Sequence, residues 1–357
     1  MNVVIVVPTY NERENLSQLL PQLLAYKQVQ VLVVDDNSPD GTAEVVRKSR
    51  SKRVHLLQGE KQGLGVAYRR GMQYALAELD AEVVVEMDAD LSHDPADLKR
   101  MFAAIDQGAD FVIGSRYVQG GGITGWGPLR YLTSWGGNFV ARLVAGLYSV
   151  RDCTAGFRAI KRWVLEGVEW SSLSTKGYGF QIRLLYEAQR QGASIVELPV
   201  TFRDREVGSS KLGLGDVLEF FATAVQLGWW TYGRLVRFLL VGASGFIVNW
   251  GLFAVLFVSG VLVDWVIIAL ATEASILWNF FWNNRWTFKD RRSQSLAKRI
   301  TRYHYTALGG LVLTYAVYYA LTRPLGVVEL FAYPVAIVAA TAWNFSLSYL
   351  WAWKKKA

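Results

Sequence analysis

From Phe238 to Val263 the chain runs for 26 residues without a charged side chain. At about 1.5 Å of rise per helical residue, such a run crosses a hydrocarbon core of ~30 Å. Three further runs share this character: Trp265–Trp282, broken only by Glu273, then Tyr305–Thr322 and Leu330–Trp353. The pattern predicts an all-α, four-helix transmembrane region over 234–357, with spans at about 238–263, 265–284, 303–322 and 330–353. Basic residues orient it. Arg234 and Arg237 precede the first span, and Arg285, Lys289, Arg291, Arg292, Lys298, Arg299 and Arg302 fill the loop between the second and third. Lys354, Lys355 and Lys356 close the chain, while the other two loops carry only Asp264, or Arg323 and Glu329. The positive-inside rule then puts both termini on the cytoplasmic side of a multi-pass integral membrane protein. The net charge of +8 is thereby matched to anionic membrane lipids, at about 1 kcal/mol per basic residue near the surface, and no nucleic-acid partner is needed.

The membrane half repeats itself. "WNFFWNNRWTFK" (Trp278–Lys289) and "WNFSLSYLWAWK" (Trp343–Lys354) match at an offset of 65, which also lays Arg237 on Arg302, Phe238 on Tyr303 and Gly245 on Gly310. This predicts two hairpins of common descent. Glu273, the acid inside a span, is expected to find a partner among Asn279, Asn283 and Arg285 at the end of its own helix.

The first half, 1–212, has a different texture. Strand-like runs at Val3–Val7, Val29–Val34, Arg53–Leu57, Glu82–Met87 and Asp110–Gly114 alternate with helical patterns at Asn15–Leu24, Gly41–Arg50 and Leu64–Leu79. Such alternation implies βαβ units, hence a Rossmann-like α/β domain on a mostly parallel sheet. Met1 runs into "VVIVV" with no basic leader, so this half is expected to fold in the cytosol. The lone Cys153 excludes an internal disulfide framework.

In open parallel sheets ligands bind at the carboxyl ends of the strands. Acidic groups gather at those ends: Glu12 after "VVPTY", Asp35 and Asp36 after "VLVV", and the pair Asp88 and Asp90 in "VVVEMDADLSHDP". Two carboxylates one residue apart can share a hard divalent cation, though aspartates also occur there simply to turn the chain. "GPLRYLTSWGGNFVARLVAGLY" (Gly127–Tyr148) is helical, with Leu132, Trp135, Phe139, Leu143 and Leu147 near one face; "LGDVLEFFATAVQLGWWTYGR" (Leu214–Arg234) is amphipathic too. Both suit helices lying in a membrane surface, the second (213–233) most of all because it adjoins a span; the alternative is packing on the protein's own core.

Seven stretches in order, "PTYNE", "VDDNSPDGT", "GLGVAYRRG", "MDADLSHDP", "GSRYVQGG", "TAGFRAI" and "FRDREVGSSKL", resemble the polyprenyl-phosphate (dolichol-phosphate) mannose synthases of glycosyltransferase family 2. The membrane half is similar to GtrA-like domains. The resemblance implies a GT-A fold and a DxD motif in which Asp88, Ala89 and Asp90 engage the donor diphosphate and a cation, Mg²⁺ or Mn²⁺. It implies that Pro8, Tyr10, Glu12 and Asp36 hold the nucleoside, that Arg116 and Arg130 bind the acceptor phosphate beside Ser134, and that Arg203 and Lys211 close over the diphosphate. Where some relatives carry Gln two residues past the second aspartate this chain has Ser92, which leaves the third protein ligand open. The expected reaction is inverting transfer of mannose from GDP-mannose to dolichyl or polyprenyl phosphate. UDP-glucose is the alternative donor. A transporter of lipid-linked sugar with a nucleotide-sensing soluble half is the rival class, disfavoured by the complete acidic set. Processive polysaccharide synthesis would call for a QxxRW-type motif, but Gln181 is followed by "IRLLY".

Overall fold

Short strand-forming runs build the first unit, and those at the centre of its sheet are buried on both faces. In the computed structural model, which describes residues 1–173, 177, 179–204 and 213–354, these runs become β1 (Val3–Thr9), β2 (Val29–Asp35), β3 (Val54–Gln58), β4 (Val83–Glu86), β5 (Phe111–Ser115), β6 (Gly122–Thr124), β7 (Arg158–Lys161), β8 (Ile195–Pro199) and β9 (Thr201–Arg203). Seven of them form one sheet in the order β3-β2-β1-β4-β7-β5-β8, and β6 pairs with β9 separately. β3, β2, β1 and β4 are mutually parallel, and β5 is parallel to β8, as the strand–helix alternation predicts. Val3, Val4, Ile5, Val6 and Val7 are fully buried, as expected of a strand covered by helices on both sides.

β7 departs from the simple βαβ reading: it runs antiparallel between β4 and β5. The reversal has a use. A parallel strand delivers the residues that follow it to the carboxyl edge, whereas an antiparallel strand delivers those that precede it. The stretch Asp152–Phe157 is thus brought beside the exit of β4. Glu86 of β4 lies directly opposite Arg158 of β7, and both side chains are wholly buried with Nε and Oε2 3.7 Å apart. Arg158 also donates to the carbonyls of Gln181 (2.8 Å) and Cys153 (2.7 Å). Pro8 sits in β1 opposite Val34 of β2, past the last pairing of β1 with β4 at Val6–Glu86. A proline is tolerated there because the ladder on that side has already ended.

The chain divides into two compact units at Thr231/Tyr232. The helix Leu214–Ser259 contributes to both. Its early turns put Phe220, Ala224 and Leu227 into the core of the first unit, while Leu218, Phe221, Val225 and Trp229 on the same turns are exposed. The helix Pro128–Leu143 behaves alike: Asn138 and Ala141 are buried, and Leu129, Leu132, Trp135, Phe139 and Leu143 are exposed. Each helix packs on the core and also presents an apolar outer face. Leu147, expected on that outer face, lies beyond the helix and is buried.

The second unit is helical, with Asp264–Trp282, Leu296–Thr322 and Glu329–Leu347 following the late turns of Leu214–Ser259. Three segments are long and apolar enough to cross a membrane: Gly215–Ser259, Val266–Thr287 and Glu329–Ala352. The helix Leu296–Thr322, which holds the expected span 303–322, is not among them; Tyr305, Tyr315, Tyr318 and Tyr319 dilute its apolar character. Glu273 bonds His304 of that helix at 2.9 Å. The partner is a neighbouring helix, not the residues expected at the end of its own. Lys355 and Lys356 lie outside the described residues.

Gly71, in the helix Leu64–Ala77, marks a close approach of helix to sheet. A Cβ there would come within 2.8 Å of Val34 Cγ2 and nearer still to Val6 Cγ1. Gly71→Ala, which would favour an isolated helix by ~1 kcal/mol, is expected to destabilise this protein by about 1–3 kcal/mol through overpacking. Thermal unfolding of the full chain in detergent checks this, and a raised midpoint would contradict the packing.

Candidate active site

Because β1, β2, β3 and β4 are parallel, their exits lie on one edge, and the acidic stretches lie there with them. Asp35 is occupied in holding two exits together. It accepts from Thr9 Oγ1 (3.1 Å), Ser38 Oγ (2.5 Å) and the Ser38 amide (3.1 Å). Asp36, 8% exposed, takes a charged hydrogen bond from Arg70 at 3.0 Å. Burial pushes its carboxyl above the ordinary range, and the Arg70 charge offsets part of that. Tyr10 carries the Lys61 ammonium 3.5 Å above its ring. Glu12 accepts from Asn15 Nδ2 (2.8 Å), and its amide donates to Thr42 Oγ1 (3.1 Å).

At the exit of β4, Asp88 Oδ1 accepts the Tyr68 hydroxyl at 2.9 Å, and the Asp88 amide donates to His93 Nδ1 at 3.3 Å. Asp90 Oδ1 accepts from Ser92 Oγ (2.6 Å) and the Ser92 amide (3.1 Å). Ser92 therefore orients the second aspartate. Ala89, 3% exposed, turns into the core between the two acids. Leu91, next in line, has φ 62°, a left-handed conformation that costs a bulky residue of order 1 kcal/mol or more. That strain is confined to the turn that aims Asp90. Beneath the site, burial pushes Glu86 up to about 7 although Arg158 opposes the shift.

A cavity of about 450 Å³ adjoins this edge. Asp88, Arg116, Arg130 and Ser134 all line it, so four of the residues singled out in the sequence meet in one place. Arg116 binds Asp152 through Nε (2.7 Å) and Nη2 (2.6 Å), with Thr154 Oγ1 at 3.0 Å. This fork-to-carboxylate pair is almost fully buried, 9% and 0% exposed. Arg130 pairs with Asp204 and stacks 4.4 Å from the Trp126 ring centre; that pair is 28% and 32% exposed. Ser134 Oγ accepts the Tyr117 hydroxyl at 2.9 Å. Phe139, Val140, Val217, Phe220 and Phe221 give the cavity an apolar side, while His93, Gln181 and Asp216 add polar groups to the rest of its wall.

Other expected site residues stand apart from the cavity. Pro8, Tyr10, Glu12 and Asp36 gather at the β1 and β2 exits. Arg203 is tied to the loop through its amide, which donates to the Ser92 carbonyl at 3.3 Å. Lys211 lies outside the described residues. Sequence reasoning passed over Tyr68, His93, Asp152, Thr154 and Asp204. Tyr68 and His93 sat inside quoted motifs, and Asp152 stands two residues before "TAGFRAI", but nothing local announces that Asp152 holds Arg116 across 36 positions.

Among the described residues no group of three His, Cys, Asp or Glu side chains is placed to hold a metal. A Mg²⁺-type site needs less than that, since one or two carboxylates complemented by phosphates and water suffice. Asp88 lines the cavity, and Gly156 packs beside its Oδ2, which a Cβ at that position would meet at 3.6 Å. Asp88 on the cavity wall suits such an ion in kind, with Asp90 two residues on as the second carboxylate, although Asp90 is not among the residues that line the cavity.

Comparison with known proteins agrees with this geometry. Residues 4–168 match the model of glycosyl transferase family 2, and residues 237–353 match that of the GtrA/DPMS transmembrane domain. A dolichol-phosphate mannosyltransferase from Pyrococcus furiosus is 38% identical over 95% of this chain and 95% of its own length. A polyprenol monophosphomannose synthase from Mycolicibacterium smegmatis is 43% identical over 66% of this chain and 89% of its own. An undecaprenyl-phosphate mannosyltransferase from Micrococcus luteus is 42% identical over 64% and 94%. The chain is a glycosyltransferase and belongs to the polyprenyl-phosphate mannose synthases of glycosyltransferase family 2, in the form that carries a GtrA-type transmembrane domain.

Proposed function

We propose that the protein transfers mannose from GDP-mannose to a dolichyl or polyprenyl phosphate at the cytoplasmic membrane face, with inversion at the anomeric carbon and a divalent cation, Mg²⁺ or Mn²⁺. One observation carries the reading: a single cavity joins Asp88 and two arginines to walls of Phe139, Val217, Phe220 and Phe221. Few acceptors combine an anion with a long apolar tail, and a polyprenyl phosphate does. The exposed faces at Leu132, Trp135 and Phe139, and at Leu218, Phe221 and Val225, suit a unit that rests on lipid. The four-span, positive-inside arrangement, with catalytic unit and termini cytoplasmic, accords with this.

Asp88 and Asp90 would hold the cation, which when bound supplies charge neutralisation to the departing diphosphate. Tyr68 and Ser92 fix the two carboxylates in advance. Pro8, Tyr10, Glu12 and Asp36 would receive the nucleoside, and Arg203 and Lys211 would cover the diphosphate. The acceptor is a phosphate monoester whose second pKa is near 6, so it arrives largely as a dianion and requires no general base. What it requires is positioning.

The arginines divide that task. Arg116 is immobilised by the buried Asp152 and forms a fixed wall next to Ser134. Arg130 is held by Asp204 in a pair about a third exposed, of a kind worth only ~0–1 kcal/mol. The acceptor phosphate takes the place of Asp204 on Arg130 and gains a planar, two-toothed contact. The attacking phosphate oxygen then forms its bond to the anomeric carbon as the bond to the diphosphate breaks.

Purified enzyme given GDP-mannose, polyprenyl phosphate and Mg²⁺ or Mn²⁺ is expected to yield mannolipid, with loss under chelation. Asp88→Asn or Asp90→Asn should lower kcat at least ~100-fold, the scale on which losing charge stabilisation is felt. Glucolipid from UDP-glucose instead, retention of configuration, or a trapped glycosyl-enzyme would each refute part of the reading. The exchange at Arg130 has its own signature. Arg130→Ala is expected to raise the acceptor KM about tenfold, and Asp204→Asn to lower it several-fold by removing the competing carboxylate, following the 1.4 kcal/mol-per-decade scale. Steady-state kinetics against acceptor concentration reads both, and an unchanged KM in Asp204→Asn would rule out displacement.

A further inference from the structure

The hairpins of the second unit are duplicates in space as well as in sequence. Phe288 and Trp353, equivalent positions 65 residues apart, stack on each other with centres 4.6 Å apart. Contacts around them come in pairs. Phe238 meets Phe288 at 6.3 Å as Tyr303 meets Trp353 at 5.4 Å. Arg237 donates to the Trp286 carbonyl (3.4 Å) as Arg302 does to that of Trp351 (2.9 Å). Gly245 admits the Asn279 amide and Gly310 that of Asn344. A turn of π-helix closes each hairpin, at Asn283–Thr287 and Ser348–Ala352. Equivalent residues that touch each other define a two-fold axis.

Against that symmetry one place stands out. A groove of about 600 Å³ is lined by Leu240, Ser244, Trp278, Trp282, Arg285 and Trp286. Their counterparts are Tyr305, Gly309, Trp343, Leu347, Leu350 and Trp351. The indoles at 278 and 286 have aromatic equivalents, but Ser244, Trp282 and Arg285 have become Gly, Leu and Leu. Leu240 and Val241, also on the groove, have become Tyr305 and Thr306, so the second copy gains two hydroxyls but lacks the guanidinium and the third indole, which belong to the first alone. Trp278 Nε1 donates to Ser244 Oγ at 3.0 Å, which fixes that indole. Trp282 Nε1 is buried with no acceptor among the described residues. Arg285 has no carboxylate partner among them. A basic residue that merely reaches for the headgroup layer needs neither a fixed indole nor a buried N–H donor beside it. The segments that carry the groove belong to Gly215–Ser259 and Val266–Thr287, both apolar enough to lie in lipid.

We infer that this groove binds the glycosyl phosphodiester headgroup of a membrane lipid, with Arg285 on the phosphate and the indoles of Trp278, Trp282 and Trp286 against the sugar. Flat apolar rings next to N–H donors suit the alternating C–H and O–H surface of a hexose, and the guanidinium suits the phosphate oxygens. That the occupant is the mannosyl lipid made by the first unit rests on the transfer proposed above.

Native mass spectrometry of the full chain in detergent, titrated with polyprenyl-phosphate mannose, tests this. The wild type is expected to bind two lipids, one in each unit, and Arg285→Gln one, with the second site weakened at least tenfold. Arg285→Lys should lose less than threefold, and Trp282→Phe, which keeps the ring and removes the donor, about fivefold. If the transfer reading fails while the groove stands, the wild type binds one lipid and Arg285→Gln none. An unchanged stoichiometry in both Arg285→Gln and Trp282→Phe overturns the site. Equal competition by phosphatidylglycerol would make it a general anionic-lipid contact, and equal competition by free mannose 1-phosphate a soluble-phosphate site; either result overturns the proposal.

Discussion

The buried pair of Glu86 and Arg158 is the contact on which the first unit turns. Two fully enclosed polar side chains that face each other across adjacent strands tolerate no slip of register, since a shift of one residue would leave each without the other. β7 runs antiparallel beside β4 in that register, so the chain ahead of it arrives at the edge where β4 releases Asp88. Asp152 and Thr154 reach Arg116 by this route, and Gly156 reaches Asp88. The pair is not a strong source of stability in itself, because desolvating two charges consumes most of their attraction. What it contributes is a single answer to where the strands go.

From that frame the site separates into rigid and exchangeable parts. Tyr68, Ser92 and the strained Leu91 fix the carboxylates before any ligand arrives, so little ordering is left to do during the reaction. The arginines are graded by burial. Arg116 is locked to an enclosed carboxylate, and Arg130 to one that water already reaches. Under the proposed transfer, which brings one anion next to another, this grading would let one positive group keep its place while another changes partner.

Much of this is legible in the sequence, for identifiable reasons. The parallel strands announce themselves because burial on both faces demands uninterrupted Val and Ile, and the carboxylates at their exits follow from the direction of the chain alone. Asp88, Arg116, Arg130 and Ser134 do meet in one cavity. β7 was not legible: four residues of "RAIK" carry no pattern long enough to reveal a strand, still less its direction. Nor was the pairing of Asp152 with Arg116 or of Asp204 with Arg130, since contacts 36 and 74 positions apart leave no local trace. The amphipathic helices were ambiguous between core and lipid because each has apolar side chains on both its buried and its exposed face, Phe220 inward and Phe221 outward one position on. Glu273 was assigned to its own helix end, whereas the neighbouring helix supplied His304.

The stack of Phe288 on Trp353 sets limits on how the duplicated half can change. Along the seam each position meets its own counterpart or its counterpart's neighbours, so a substitution there is felt by both copies at once and has to be answered in both. Away from the seam no such bargain exists. Ser244, Trp282 and Arg285 could drift from Gly309, Leu347 and Leu350 without disturbing the axis. The internal two-fold thus gives a scaffold whose centre must stay alike and whose flanks are at liberty to specialise.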